Sequence, residues 1–195
     1  MVVIINLILF FITMLAVLGC FRRDGMWDWK RGLSALRFFT ILSNLFCALS
    51  ALLMAITTLI GQASYAVWLL KYVGTAAVTV TWLTVMVFLG PTQGYKTMLT
   101  GRDLHLHLFG PLMAILSFCF LERLFPLTFK VSLLGVLPVV LYGVVYLYKV
   151  VFSPVEKRWE DVYGFNRNGM WPISFAAMMA GALGVCVALW GLCRI

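Results

Sequence analysis

Six long apolar stretches, joined by short connections, fill this chain at residues 2–20, 35–60, 66–90, 104–121, 129–152 and 172–193. Each has the roughly 20 residues that a helix needs to cross the hydrocarbon layer of a bilayer. Only 11% of residues are charged, against roughly 25% in a soluble domain, so a soluble fold is excluded. A hydrophobic content of 63% likewise excludes disorder, which requires low hydrophobicity. A single spanning segment must satisfy its own backbone hydrogen bonds, which a helix does. A membrane barrel would show alternating strands of about ten residues, and no such alternation is present. The expected fold is all-α: a polytopic integral membrane protein, one six-transmembrane-helix bundle over residues 1–195. No repeat and no soluble domain interrupts it.

The net charge of +8 has a use in such a chain. Lys and Arg concentrate in the cytoplasmic loops of membrane proteins. Arg22, Arg23, Lys30, Arg31, Lys96, Arg102, Lys157, Arg158 and Arg167 fall in loops one, three and five, and outside the apolar stretches only Arg123 and Arg194 lie on the opposite side. Nine against two places the odd loops in the cytoplasm and both termini outside. Trp27, Trp29, Trp159 and Trp171 suit an aromatic belt at the same face. The basic excess is therefore not read as a nucleic-acid surface. No charge precedes Val2, the reverse of a signal peptide, so the first segment is expected to be a retained helix. Cys20, Cys47, Cys119, Cys186 and Cys193 form no C-x-x-C pair and read as small apolar residues with free thiols. No metal cluster, phosphate loop, dinucleotide fingerprint or haem motif occurs, and no cofactor is expected.

Polar groups inside membrane helices are costly and mark sites or interfaces. On the second helix Thr40, Ser43, Asn44 and Cys47 share one stripe at 100° per residue, continued by Ala51, Met54 and Thr58. Leu42, Leu45, Phe46, Leu49 and Leu53 form the opposite, lipid-facing side. Helix packing explains small and hydroxylated residues, but the Asn44 amide wants several partners. His105 and His107 point about 160° apart, so they cannot chelate one metal. His107 shares the small face of Gly110, Pro111 and Ala114 and is expected to point inward, with His105 at the headgroups. Thr40 and His107 lie about 8 Å and about 5 Å in from the cytoplasmic ends of their helices, at 1.5 Å per residue. A hydroxyl beside an imidazole is the minimal pair for nucleophilic catalysis; a structural histidine bonded to a backbone carbonyl is the competing reading. On the fifth helix Tyr142, Tyr146 and Lys149 form a stripe. A buried Tyr there can donate to an oxyanion, while Lys149 is read as snorkelling. Lys71 is expected to snorkel outward, and Glu122 to pair with Arg123 or Lys130 at the outer interface. The loop from Tyr163 to Pro172 lies on the side of Thr40 and is a candidate cover for a site. The Ala177/Gly181 and Gly184/Ala188 pairs are read as close-packing positions of the sixth helix.

The run Arg37-Phe-Phe-Thr40-Ile-Leu-Ser-Asn44 resembles a motif of the androgen-induced membrane proteins and their bacterial six-helix relatives. His107-Leu-Phe-Gly-Pro111, the Tyr-bearing fifth helix and the Trp171-Pro172 start of the sixth are also similar to that family. In its animal members a membrane-embedded Thr and His hydrolyse fatty acid esters of hydroxy fatty acids. The resemblance implies that Thr40 is the nucleophile and His107 the base. Two features depart from the animal pattern: the second His lies two residues upstream, at His105, rather than three, and the spacing to Pro111 is shorter. The implied function is a lipid-ester hydrolase opening toward the cytoplasmic leaflet of a bacterial inner membrane, with the bilayer and a lipid ester as partners. Asn44, Ser43, Tyr142 and Tyr146 would bind substrate or stabilise the oxyanion. The alternative is a non-enzymatic protein, a small transporter or a lipid-binding subunit. Against transport stand the lack of a repeat and of any carboxylate expected deep in a helix.

Overall fold

A computed structural model describes all residues 1–195. The chain is an all-α bundle of six helices, each long and apolar enough to cross a membrane: α1 (Val2–Phe21), α2 (Phe39–Leu59), α3 (Tyr65–Gln93), α4 (Arg102–Leu121), α5 (Phe129–Phe152) and α6 (Trp171–Leu192). The protein is thus a multi-pass membrane protein. α3 is the central helix. Of its apolar window 61% is buried, against 22% for α6, and it packs against α2, α4, α5 and α6 while α1 lies along α2. Glycine permits two close crossings. A Cβ on Gly74 would lie 2.7 Å from Ser50 Oγ and 3.0 Å from Cys47 Cα, which sets how near α3 comes to α2. A Cβ on Gly135 would lie 2.8 Å from Ala76 Cβ and 2.9 Å from Cys186 Sγ, where α5 meets α3 and α6. The main core, around Trp68, Tyr72, Phe118, Val139 and Leu189, fills the half of the bundle nearest the termini.

The second apolar stretch does not form one helix from residue 35. Phe38 is extended (φ −91°, ψ 134°) and α2 begins at Phe39. The preceding residues form a separate helix, Trp29–Ala35, whose N-cap Asp28 accepts a hydrogen bond from the Arg31 N–H at 3.0 Å. Before it, Arg22–Arg23 pairs with Met26–Trp27 in a short hairpin. Its turn places Asp24 and Gly25 at positive φ, as an Asp-Gly hairpin turn demands. Thr40 is therefore the second residue of its helix, shallower than a helix starting at residue 35 would put it.

Three helices depart from regular α geometry near proline. π-Turns occupy Val85–Leu89 before Pro91 and His105–Phe109 before Pro111, and a 3₁₀ segment Leu133–Val136 precedes Pro138. Proline lacks an N–H and its ring crowds the carbonyl four residues earlier, so the helix widens or tightens beside it. Further π-turns close α4 at Ser117–Leu121 and α5 at Tyr148–Phe152. The small residues of α6 are not an internal interface: nothing lies within 4 Å of a Cβ built on Gly181 or Gly184, and Ala177 and Ala188 are exposed. The side that α6 buries is instead Ala182, Val185, Cys186 and Leu189.

Candidate functional site

The polar stripe of α2 meets α4 and α3 at the end of the bundle that carries loops one, three and five. Asn44 is buried, and its amide nitrogen donates to the carbonyl of Thr40 (2.8 Å) and to that of Leu106 on α4 (3.0 Å). Both amide N–H groups are thereby engaged, so Asn44 ties the Thr40 turn to the residue preceding His107 and has no donor left for an oxyanion. Ser43 is buried too. Its hydroxyl shares a 2.8 Å hydrogen bond with Thr81 on α3 and reaches the Thr40 carbonyl at 3.2 Å. It acts as a link between helices, not as a free donor.

His107 is buried, and its Nδ1 lies 2.7 Å from the carbonyl of Met98. A carbonyl only accepts, so Nδ1 carries the proton, and in the neutral ring Nε2 is left as the basic nitrogen. Nε2 has no protein partner. His107 and Thr40 are not hydrogen-bonded to each other. Thr40 is half-buried in the first turn of α2, beside backbone donors that the helix leaves free. The Phe39 N–H donates to the Tyr163 hydroxyl at 3.3 Å, while the Thr40 N–H has no backbone acceptor.

The imidazole that does bond a hydroxyl is His105, whose Nε2 lies 2.9 Å from Thr13 Oγ1 on α1. His105 is half-buried and faces the bundle, not the headgroups. The reason is the π-turn. Its i to i+5 spacing sets His105 over Gly110 rather than over Phe109, and a Cβ on Gly110 would lie 3.3 Å from His105 Nε2 and 3.4 Å from Asn44 Oδ1. A regular-helix projection puts His105 on the face of Leu108 and Leu112. One signal in the sequence pointed to Thr13. Asn6 and Thr13 are the only polar residues within the α1 apolar run and lie seven apart, on one face.

The connection before α6 covers this end of the bundle. Asp161 organises it: its carboxylate accepts from the N–H groups of Phe165 and Asn166, both at 2.7 Å, and from the Tyr146 hydroxyl at 3.1 Å. Tyr146 is buried among Tyr142, Trp159, Tyr163 and Phe165. The Tyr142 hydroxyl donates to the Arg37 carbonyl at 2.9 Å. Both tyrosines therefore hold the loop and the start of α2 in place, and neither hydroxyl is free to bind an oxyanion. Burial pushes the Tyr163 phenol above its ordinary range.

A second polar cluster lies toward the termini. Lys71 and Glu122 are each 0% exposed, with Nζ 3.6 Å from Oε1. Lys71 does not snorkel, and Glu122 does not pair with Arg123 or Lys130 at an interface. Asn6 donates to Oε1 at 2.9 Å, Ser117 donates to the same oxygen, and the Trp68 indole N–H donates to the Glu122 carbonyl at 2.8 Å. Glu122 Oε2, Asn6 Oδ1 and Thr75 Oγ1 are buried without hydrogen-bond partners, as is Lys71 Nζ apart from its ion pair. The chain turns inward after α4 because the π-turn ending at Leu121 delivers Glu122 to the core rather than to the surface. A wholly buried carboxylate, a group that ion-coupled transport uses, is thus present just past the end of α4. No group of three or more His, Cys, Asp or Glu side chains could hold a metal.

No family model, curated protein or solved structure matches the chain.

Proposed function

We propose that the protein is a membrane-embedded lipid-ester hydrolase with Thr40 as nucleophile and His107 as general base. One observation carries the reading: Met98 holds the proton of His107 on Nδ1 and leaves Nε2 unpartnered, on a turn that Asn44 ties to the turn of Thr40. In the reaction Nε2 takes the Thr40 proton and Oγ1 adds to the ester carbonyl. Collapse of the tetrahedral adduct releases the alcohol, which takes up the proton from His107, and water then frees the fatty acid from acyl-threonine. Hydrogen bonds between nucleophile and base are often long before substrate binds. With Asn44 and Tyr142 engaged elsewhere and the Phe39 N–H on the Tyr163 hydroxyl, the oxyanion donor is the Thr40 N–H in the first turn of α2, where the helix dipole favours negative charge. The charge asymmetry of the loops supports an orientation with this end at the cytoplasmic leaflet of an inner membrane and both termini outside, and the site would take a lipid ester laterally near the depth of the ester carbonyls.

Thr13 and His105 are the competing nucleophile and base, since they are already hydrogen-bonded. Thr13 is 1% exposed, which leaves no approach for an ester carbonyl, so we assign this pair to helix packing. A non-enzymatic transport role is favoured by one observation, the wholly buried Lys71–Glu122 pair, since intramembrane charges often mark ion pathways.

The test is labelling of purified protein in detergent with a reporter-tagged fluorophosphonate. Wild type and Thr13→Val should label, and Thr40→Ala and His107→Ala should not. Loss in Thr13→Val alone moves the nucleophile to Thr13. Absence of labelling in folded wild type refutes the hydrolase and leaves the transport reading.

A further inference from the structure

Cys119 and Cys193 lie 74 residues apart in sequence, yet their sulfurs are 3.4 Å apart. Cys119 sits in the closing π-turn of α4 and is fully buried. Cys193 is the residue after α6 and is half-buried. It lines a cavity of about 230 Å³ open to the surface, together with Arg123, Leu124 and Phe125. The Arg123 Nε donates to the Cys119 carbonyl at 2.7 Å, which keeps a guanidinium beside the two thiols. Cys20, Cys47 and Cys186 are buried and make no sulfur–sulfur contact.

We propose that Cys119 and Cys193 are a dithiol modification site, closed to a disulfide by exchange with an external disulfide that enters the cavity. Cys193 is the attacking thiol because it alone is reached from the cavity. Contact with the Cys119 thiol, and then the Arg123 charge, hold the Cys193 thiol below its ordinary range. A thiolate is the nucleophile in such exchange. The Cys193 thiolate, its proton passed to solvent, attacks the external disulfide, forming a mixed disulfide and expelling one thiolate. Cys119 then loses its proton, attacks Cys193 Sγ and expels the second thiolate. Two protein thiols are oxidised, one external disulfide is reduced to two thiols, and no further reactant is needed. A disulfide requires sulfurs about 2.05 Å apart, so the pair must close by roughly 1.4 Å from the observed contact. That movement is available just past the last turn of α6, where Cys193 follows Leu192. Closure would staple the weakly buried α6 to α4, next to the turn that seats Glu122.

The experiment uses 4,4′-dithiodipyridine on the full chain in detergent, reading released thiopyridone and the mass of the intact protein. Wild type should release two equivalents, lose the mass of two hydrogens, carry no adduct and remain one chain on a non-reducing gel. Peptide mapping should join Cys119 to Cys193. Cys119→Ser should stop after one equivalent with a stable pyridyl adduct on Cys193, and Cys193→Ser should release none while folded. A lasting adduct on wild-type Cys193, a disulfide between two chains, or no release from folded wild type would each overturn the proposal.

Discussion

Replacing Lys71 with Met, Glu122 with Gln, and both together should give strongly non-additive stabilities. The two charges are 3.6 Å apart and wholly buried. At an effective dielectric constant of 20, Coulomb's law gives an attraction of about 4.6 kcal/mol at that separation. Removing either partner alone leaves the other charge in a dry bundle, which costs about 3–5 kcal/mol. Lys71→Met leaves Glu122 with only the Asn6 and Ser117 donors. Glu122→Gln leaves the Lys71 ammonium, which has no hydrogen-bond partner of its own, without a counter-charge. The double variant strands no charge, and its amide can still accept from Asn6 and Ser117. It should therefore be less destabilised than either single variant, with a coupling energy of at least about 2 kcal/mol. Unfolding in mixed micelles by titration with sodium dodecyl sulfate, followed by circular dichroism, measures all four proteins. Additive losses, or single losses below about 1 kcal/mol, would mean that water reaches these groups and would refute the dry ion pair.

Three further outcomes follow from particular contacts. Gly74→Ala should cost about 1–3 kcal/mol in the same titration, because the new methyl meets the Cys47 backbone and not only the movable Ser50 hydroxyl. Asn44→Leu should cost about 1–3 kcal/mol by stranding the buried Leu106 carbonyl, and on the hydrolase reading it should also abolish fluorophosphonate labelling. Because burial raises the Tyr163 pKa, the folded state holds that proton more tightly than the unfolded one. The resulting stability is whole below pH ~10, the unperturbed tyrosine value, and is lost as pH rises through the higher folded value. Tyr163→Phe should reduce the alkaline loss of thermal stability seen in wild type.

Length and hydropathy made the six helices and the lipid-facing side of α2 legible, because both depend on local composition. The inward turn of Asn44 was legible too, since the stripe it belongs to runs along a regular helix. The readings that failed share a cause: a 100° projection holds only while the helix stays α. His105 lies inside a π-turn that Pro111 imposes from downstream, and its face changed. Glu122 follows another π-turn, and a residue placed at the end of a span was delivered to the core. Lys71 looked like a snorkelling lysine because its partner lies 51 positions away, a long-range pairing that periodicity does not encode.

Access separates the two histidines more firmly than distance does. His105 bonds a hydroxyl that is 1% exposed, in the seam between α1 and α4. An acyl donor would have to part those helices to reach it. Thr40 pairs with no imidazole at rest, but it is half-buried at a helix start, under a loop that hydrogen bonds to Asp161 hold in place. Catalysis selects for interactions that strengthen in the transition state, and a ready-made Thr–His bond sealed from substrate offers none. An unpartnered Nε2 on a turn that Asn44 ties to the turn of a half-buried hydroxyl does, provided that substrate binding closes the gap. The prediction that distinguishes them is kinetic: Thr13→Val should alter stability and leave the labelling rate near wild type, whereas His107→Ala should eliminate labelling and lower the unfolding free energy by no more than about 1–3 kcal/mol, the cost of losing one buried hydrogen bond.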